Sequence, residues 1–457
     1  MLSQDSRKVV RDGTASSADD LTQRLIPFEV PVGTTSISIA YTYTGRAEGN
    51  AIDLGLLGVR KQFRGYSGGS KTQVTVANDH ATPGYIAGLL PPGEWYVLLG
   101  IYTIVPAASP SSYRVEINLD DRPLPVFQSA PAPVRADFSG STVRRPGQRH
   151  LPRWLKGDFH MHTVYSDGQF TPDQLVEKAN KRGLDFIFST EHNTFSSNLI
   201  WGDHVPRGFL VGRGIEVTTI GGHWNALGLL PDQYIDPSVD GTNMDASLIA
   251  AVEAVHKSDG FAIINHPFAE CKCCGWTYSF HEHMDGIEVW NGPWKRHPED
   301  QSNIKAVAKW DELLRAGTVF VATGGSDIHE PRFEIAEPCT RVLAEEVSVY
   351  SIIQGLRRGT AYITQHPHYE IEFELRSDSE RAAIGGWLAA AGEVAARVRL
   401  TGFPSCELRV ITEAGTIHRT SETQVELLVR ARYVRLEVRS EQDDMLGLTN
   451  PIWVVRS

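Results

Sequence analysis

The sequence predicts an α/β protein in which a central barrel of alternating helices and strands lies between two all-β regions that read as sandwiches. Three observations carry this reading. In residues 154–366, amphipathic helical stretches are followed by short apolar strands, the pattern of a parallel sheet closed most simply as a barrel. On either side, short runs alternate apolar and polar residues between turn residues, as the strands of a sandwich do. Residues of metal-ligand type also recur at or just after the central strands, where a barrel gathers its functional groups.

The bulk properties fit. A chain of 457 residues is long enough for two or three domains with their own cores, and 41% apolar with 22% charged residues is ordinary for a globular protein. The formal charge of -11 argues against nucleic-acid and anionic-membrane partners, which want a basic surface. An anionic small molecule stays open, because bound cations reverse the field locally. No apolar run is long enough to cross a bilayer, and the start MLSQDSRKVVRDG lacks the apolar stretch of a signal peptide. The cytoplasm is therefore the expected location. The oligomeric state is left open.

In chain order, residues 1–20 are polar and read as disordered. Residues 21–120 read as a β-sandwich, on runs such as IPFEVPV, SISIAYTYT, EWYVLLGIYTIV and SYRVEINL with GRAEGN, GYSGGS and PPGE between them. Tyr41, Tyr43, Trp95 and Tyr96 offer a carbohydrate- or protein-binding face, but at strand period they read first as core. Residues 121–153, rich in Pro, Arg and Ser, read as a linker.

The central region opens with a strand carrying His160 and His162, two apart and so facing one side. Asp167 follows in a Ser-Asp-Gly turn. A helix is signalled by Thr171 as N-cap, Pro172 at the first position and Leu175, Val176 and Ala179 on one face, with Gly183 to end it. The strand over 184–190 delivers Glu191, His192 and Asn193. Strands at 208–217 and 224–229 bracket Glu216 and His223. A helix at 244–258 leads to strand 261–265 and His266, and Glu288 closes GIEVWN. A helix at 303–316 leads to strand 318–323, with Asp327 and His329 directly after it, and a last helix spans 347–358. Residues 367–457 return to alternating strands (YEIEFEL, EVAARVRL, QVELLVRA, YVRLEVRS) and read as a smaller sandwich.

One histidine at a strand end is more often structural than a ligand, but so many ligand-type residues at successive strand ends point to a metal site. The five cysteines make no disulfide scaffold in a chain of this length. The Cys271, Cys273, Cys274 cluster lacks the C-x-x-C spacing of structural zinc. It reads as reduced thiols in a loop near His266 that shapes access to the site, with metal binding or a local disulfide as alternatives.

HMH, SDG, TEHN, GIEVTT, NHP and GSDIH, in this order over residues 157–366, closely resemble the motifs of the polymerase and histidinol phosphatase (PHP) family. The resemblance implies a distorted (β/α)7 TIM-like barrel binding two or three divalent metals. It implies that His160 and His162 bind a first metal with Asp327, that Glu216 bridges the first and second, and that His266 binds the second. Asp167, which stands where some members have His, would hold a third with His192 and His329. His223 is either the remaining ligand of the second metal or a proton donor to the substrate. Asp158, Glu191 and Glu288 are expected to orient imidazoles rather than to bind metal. The INHPF, EVWNGPW and GGSDIH stretches, with the terminal LTNPIW, also resemble the CehA/McbA-type metallohydrolases, whose members hydrolyse carbamate esters.

Imidazole and carboxylate ligands suit zinc, manganese or iron. Two cations sharing Glu216 would hold a bridging hydroxide as nucleophile and stabilise the charge that builds on a small-molecule ester, with Glu216, Asp327 and His223 as the catalytic set. The intact third set favours a phosphoesterase over a carboxylic ester or carbamate hydrolase. A non-catalytic scaffold would lack ligands. Lys295, Arg296 and Arg332 are the cations available to an anionic substrate, and Trp276, Tyr278, Trp290 and Trp294 the apolar walls available to a neutral aryl group.

Overall fold

The structure is a computed structural model that describes residues 8–121, 152–238, 243–271, 274–280 and 283–456. It is a mixed α/β protein with many strands and few helices. The N-terminal part forms two four-stranded antiparallel sheets. One runs in the order Lys8–Ala15, Ser111–Asp120, Ser36–Tyr43, Gln73–Ala77, and the other Thr22–Val30, Gly93–Thr103, Ala51–Leu57, Phe63–Tyr66. Alternate residues of both sheets fill one core, among them Ile39, Tyr41, Trp95, Val97, Leu99, Val115 and Ile117. Tyr41 and Trp95 are thus core residues, as their strand period predicts.

The disorder expected for residues 1–20 is corrected for the described part. Lys8–Ala15 is a strand paired along its whole length with Ser111–Asp120. It lies at a sheet edge with half of its residues exposed and only Ala15 buried, so its polar composition does not oppose the ladder. Of the expected linker, residues 122–151 lie outside the described residues.

In the central region seven strands lie side by side in chain order: Arg153–Asp158, Phe186–Ser189, Leu210–Thr219, Gly222–Leu227, Phe261–Ile264, Gly286–Asn291 and Val321–Gly325. The two ends of this path meet. Asp327 N donates to His160 O at 2.8 Å and His162 N to Ile328 O at 3.1 Å. Repeated helix-then-strand units imply a parallel sheet, and this expectation is corrected for one strand. Leu210–Thr219 and Gly222–Leu227 form a tight antiparallel hairpin, and Gly222–Leu227 also runs antiparallel to Phe261–Ile264. With two residues between them, no crossover helix fits.

The helices follow their signals closely. Helix α1 (Pro172–Lys181) has Thr171 Oγ1 accepting from Gln174 N, and it buries Leu175, Val176 and Ala179. Such a cap contributes about 1 kcal/mol. Helices α2 (Met244–His256), α3 (Ser302–Ala316) and α4 (Val349–Arg357) lie within two residues of their expected bounds. Among the described residues no helix is long and apolar enough to cross a membrane.

The C-terminal part is joined to the centre through the sheet itself. Arg153–Asp158 pairs with Cys339–Ala344, which pairs with Ala361–Thr364, which pairs with Met445–Thr449. Strands Tyr433–Arg439, Glu407–Thr412 and Gly415–Thr420 extend this sheet. A separate four-stranded sheet, Arg381–Ala383, Glu370–Arg376, Val394–Thr401 and Gln424–Val429, packs on it over Phe373, Leu375, Val398, Val410 and Leu436.

Candidate metal centre

The candidate side chains stand in or just beyond strands of the central path, except Asp167, which stands in the turn between Arg153–Asp158 and helix Pro172–Lys181. Six of the seven strands run the same way, in two parallel groups of three on either side of the antiparallel Gly222–Leu227, so their C-terminal ends lie on one side. The hairpin adds His223 there as well, because the start of its antiparallel second strand sits beside the end of the first: Thr218 faces His223 and Glu216 faces Asn225 in register. His160, His162, Glu216, His223, His266, Asp327, Asp167, His192 and His329 are brought together.

Glu216, fully buried, is the hub. Its Oε1 lies 3.2 Å from His160 Nε2, 3.2 Å from His266 Nε2 and 3.2 Å from His223 Nδ1. Its Oε2 lies 3.3 Å from His162 Nε2 and 2.9 Å from His192 Nδ1. Asp327 Oδ1 faces His160 Nε2 at 3.3 Å and His162 Nε2 at 3.1 Å. On the outer side Asp167 Oδ1 lies 3.3 Å from His329 Nε2 and 3.6 Å from His192 Nε2.

These atoms form four overlapping sets, each within 4.8 Å: His160, His162, Asp327; His160, Glu216, His266; His192, Glu216, His223; and His162, Asp167, His192, His329. A cation fits this arrangement. His160 Nε2, His162 Nε2 and Glu216 Oε2 are buried without a hydrogen-bond partner and share one space, an expensive arrangement unless an ion satisfies them. The donors are all nitrogen and oxygen, which suits borderline and hard divalent ions.

The surrounding carboxylates hold the ligands. Glu288 Oε1 lies 3.1 Å from His160 Nδ1, which directs the other nitrogen inward, and Glu288 Oε2 accepts from His266 N at 3.0 Å. Asp158 accepts from the backbone N–H groups of His160, Ser326 and Ala336, pinning the first and last strand ends together. Glu191 accepts from Thr163 N and from the Thr163 and Ser166 hydroxyls, bracing the turn that carries Asp167.

The electrostatics follow from crowding carboxylates and imidazoles away from water. Burial alone would lower the His160 imidazole, yet Asp327, Glu216 and Glu288 hold it well above its ordinary value. Against the same burial, Glu216 and Asp167 push His192 up to about 10. A hydrogen bond to Asp167 and the charge of Asp327 likewise push His329 up to about 9. Burial, with His329 and His192 alongside, pushes His162 down to about 3. Glu216 and Asp327 stay well below the usual carboxylate range despite burial, because imidazoles surround them. The centre thus demands positive charge beside Glu216 and Asp327.

The proposed substrate contacts fare differently. Arg296 reaches the centre, with Nη2 3.6 Å from Asp327 Oδ2 and a hydrogen bond to Asn291 Oδ1. Lys295 is instead matched by Asp444 at 2.7 Å, and Arg332 is exposed and paired with Glu330 at 2.6 Å. Trp294 is buried, packed edge-on against Trp290 with Arg439 over its ring. Trp276 and Tyr278 are buried against the hairpin, where Tyr278 Oη meets Thr219 Oγ1 at 2.7 Å. The reduced-thiol reading of the cysteine loop is corrected: Cys271 and Cys274 form a disulfide, their Cα atoms brought to 5.4 Å by a turn closed from Cys274 N to Cys271 O. Cys273 lies outside the described residues.

Sequence reasoning missed several contributors. Asn265 Nδ2 donates to Glu216 Oε1 at 3.0 Å, and Thr218 Oγ1 lies 2.6 Å from His192 Nδ1. Both stand inside motifs already singled out, so their place in INHPF and GIEVTT was the available signal. Tyr102 comes from the N-terminal strand Gly93–Thr103, and Ser70 and Lys71 from the connection before Gln73–Ala77, and nothing local to them signals the centre. Ser70 Oγ and Lys71 Nζ both donate to Ser166 O, at 2.9 and 2.8 Å, one residue before Asp167. Tyr102 Oη lies 3.3 Å from His223 Nε2.

No family model matches the chain. An uncharacterised protein of Methanocaldococcus jannaschii is 28% identical over 150 residues, which cover 30% of this chain and 82% of that protein. The chain is also similar to a solved two-domain protein of Bacteroides vulgatus containing a predicted PHP-like metal-dependent phosphoesterase. The identity is 21%, the coverage 66% of this chain and 96% of that one, and the TM-score 0.39. A candidate metal-dependent phosphoesterase of Bifidobacterium adolescentis is 19% identical over 40% of this chain and 91% of its own, with a TM-score of 0.27.

Proposed function

We propose that the chain is a PHP-type metal-dependent hydrolase and that its substrate is a small-molecule phosphoester. In this reading the closed seven-strand path is a distorted (β/α)7 barrel and the paired sheets at each end are sandwiches. The observation that supports it is the completeness of the cluster: four overlapping ligand sets, two of them meeting at Glu216, one of His160, His162 and Asp327, and one of His162, Asp167, His192 and His329.

His160, His162, Asp327 and Glu216 would hold a first ion, Glu216 with His266 and His223 a second, and Asp167, His192 and His329 a third. Zinc, manganese or iron would supply a water of lowered pKa and a counter-charge for the oxygen that becomes negative during hydrolysis. The chain's own contribution is geometric and electrostatic. Glu288 sets the tautomer of His160. Asp158 and Glu191 fix the loops that carry the ligands, and Arg296 offers a guanidinium to a charged substrate oxygen at the edge of the site.

A second reading, carboxylic ester or carbamate hydrolysis in the manner of the CehA/McbA branch, has one observation in its favour. A cavity of about 400 Å³ beside the centre is lined by Leu21, Ile101, Tyr66, Tyr102, Ile220 and other uncharged side chains. The test pairs an aryl phosphate with the carbamate of the same aryl alcohol, on wild type and on His192→Ala, after metal analysis. The phosphoesterase reading expects wild type to prefer the phosphate and His192→Ala to lose that preference. A wild-type preference for the carbamate above about 100-fold, roughly 2.7 kcal/mol of transition-state discrimination, overturns it.

A further inference from the structure

The N-terminal sheets do not merely abut the centre. Their contacts fall on the residues that flank its ligand candidates. Ser70 and Lys71 hold the carbonyl of Ser166 beside Asp167. Thr194, two residues past His192, donates through Oγ1 to Gly84 O at 3.0 Å. Gly84 comes so near that a Cβ there would stand 2.6 Å from Tyr165 O, at a φ of +98°. Phe63 packs on Phe195 with ring centroids 5.5 Å apart.

Tyr102 goes further in. It is the one residue skipped where the ladder between Ala51–Leu57 and Gly93–Thr103 changes register, from Ile52 opposite Ile101 to Ala51 opposite Thr103. Such a bulge re-aims a side chain. Strand alternation puts the phenol on the outer face of the sheet, opposite the core-facing Ile101, and at this bulge it reaches His223, 121 residues away in the chain, with Oη 3.3 Å from Nε2. The other ring nitrogen, Nδ1, lies 3.2 Å from Glu216 Oε1, inside the ligand cluster.

We infer that Tyr102 is a positioning residue of the metal centre: it engages His223 Nε2 so that Nδ1 is the nitrogen presented to an ion beside Glu216. His223 is then a ligand rather than a proton donor, and the N-terminal sheets complete the centre. This rests on the metal-binding part of the proposed function but not on the substrate class. The arrangement repeats the general rule that a ligating imidazole is oriented by what its second nitrogen meets.

The test is titration of chelator-stripped, full-length protein with Mn²⁺ alone, on wild type, Tyr102→Phe, His223→Ala and the double variant. Tyr96→Phe, on the same strand but paired with Glu94, is the control. Tyr102→Phe keeps the ring and loses the hydroxyl. It is expected to weaken one Mn²⁺ site about 10-fold, leave the others unchanged and lower kcat more than it raises KM. In the His223→Ala background it should have no further effect, since Tyr102 acts only through that ring. Wild-type Mn²⁺ affinity at every site in Tyr102→Phe overturns the inference, as does an equal loss with and without His223. A wild type that takes up no Mn²⁺ overturns it together with the metal reading. If the Mn²⁺ pattern is as expected but neither ester is hydrolysed, the inference is supported and the proposed function alone fails.

Discussion

His266 and Asp327 stand at φ of +24° and +50°, backbone angles that residues with a Cβ rarely take. Each such residue costs about 1–3 kcal/mol, so the surroundings must enforce it. They do: His266 N donates to Glu288 Oε2 at 3.0 Å, and Asp327 N to His160 O at 2.8 Å. At these angles His266 faces Glu216, and Asp327 faces His160 and His162. Gly325 is needed for a different reason. A Cβ there would lie 2.4 Å from His160 Cβ and 2.8 Å from Glu288 Oε1, and the first of these cannot move without moving the imidazole. Gly325→Ala is expected to weaken metal affinity at least about 10-fold by displacing His160. Titration of the stripped variant with Mn²⁺ checks this, and unchanged affinity would mean that the strand yields instead. That His160 and His162 would face one way was legible from their two-residue spacing. That a glycine must lie against them was not, since it comes from a strand more than 160 residues later.

At the scale of elements, α3 is fastened to strand Tyr433–Arg439 by a buried charge cluster. Arg435 is fully buried, donates to Asp311 Oδ1 at 2.8 Å and to Glu437 Oε1 at 2.8 Å, and lies over the Trp310 ring. Burial would raise the Glu437 carboxyl, but Arg435 and Arg439 hold it below its ordinary 4.5. A carboxyl depressed in the folded state adds stability that is present above the unfolded pKa and lost as pH falls through the folded value. Melting temperature should therefore fall as pH drops below about 4.5, and Glu437→Gln should flatten part of that fall. At pH 7 the same substitution should cost about 2 kcal/mol, the worth of hydrogen bonds to a charged partner. Melting curves of both proteins between pH 7 and pH 3 decide it, and parallel curves would show that Glu437 is not linked to folding. The helix itself was readable from its apolar periodicity. Its charged partner was not, because the pair spans more than 120 residues.

At the scale of the whole molecule, the centre draws its residues from every strand of the closed path and from the N-terminal sheets. Ions bound there should tie those parts together. Saturation at about 100 times the dissociation constant would add about 2.7 kcal/mol per independent site. Chelator-treated protein should thus melt at a lower temperature than protein refilled with Mn²⁺, with the difference shrinking in Glu216→Gln. Identical melting with chelator and with Mn²⁺ would argue that the cluster holds no ion.

The sequence by itself determined the order of helices and strands in the centre, the alternating strands at both ends and the roster of ligand-type residues. These rest on local physics: side-chain period, capping and the spacing of polar groups at strand ends. The tertiary structure alone decided which cations face the centre. Arg296 reaches Asp327, while Lys295 is taken by Asp444, and no local pattern distinguishes these neighbours. It also decided that Trp294 is core rather than wall, that Lys8–Ala15 finds a partner strand, and that Tyr102 reaches His223. Each depends on what a distant part of the chain places opposite the residue. Burial and pairing are properties of two segments at once, so neither segment carries them alone.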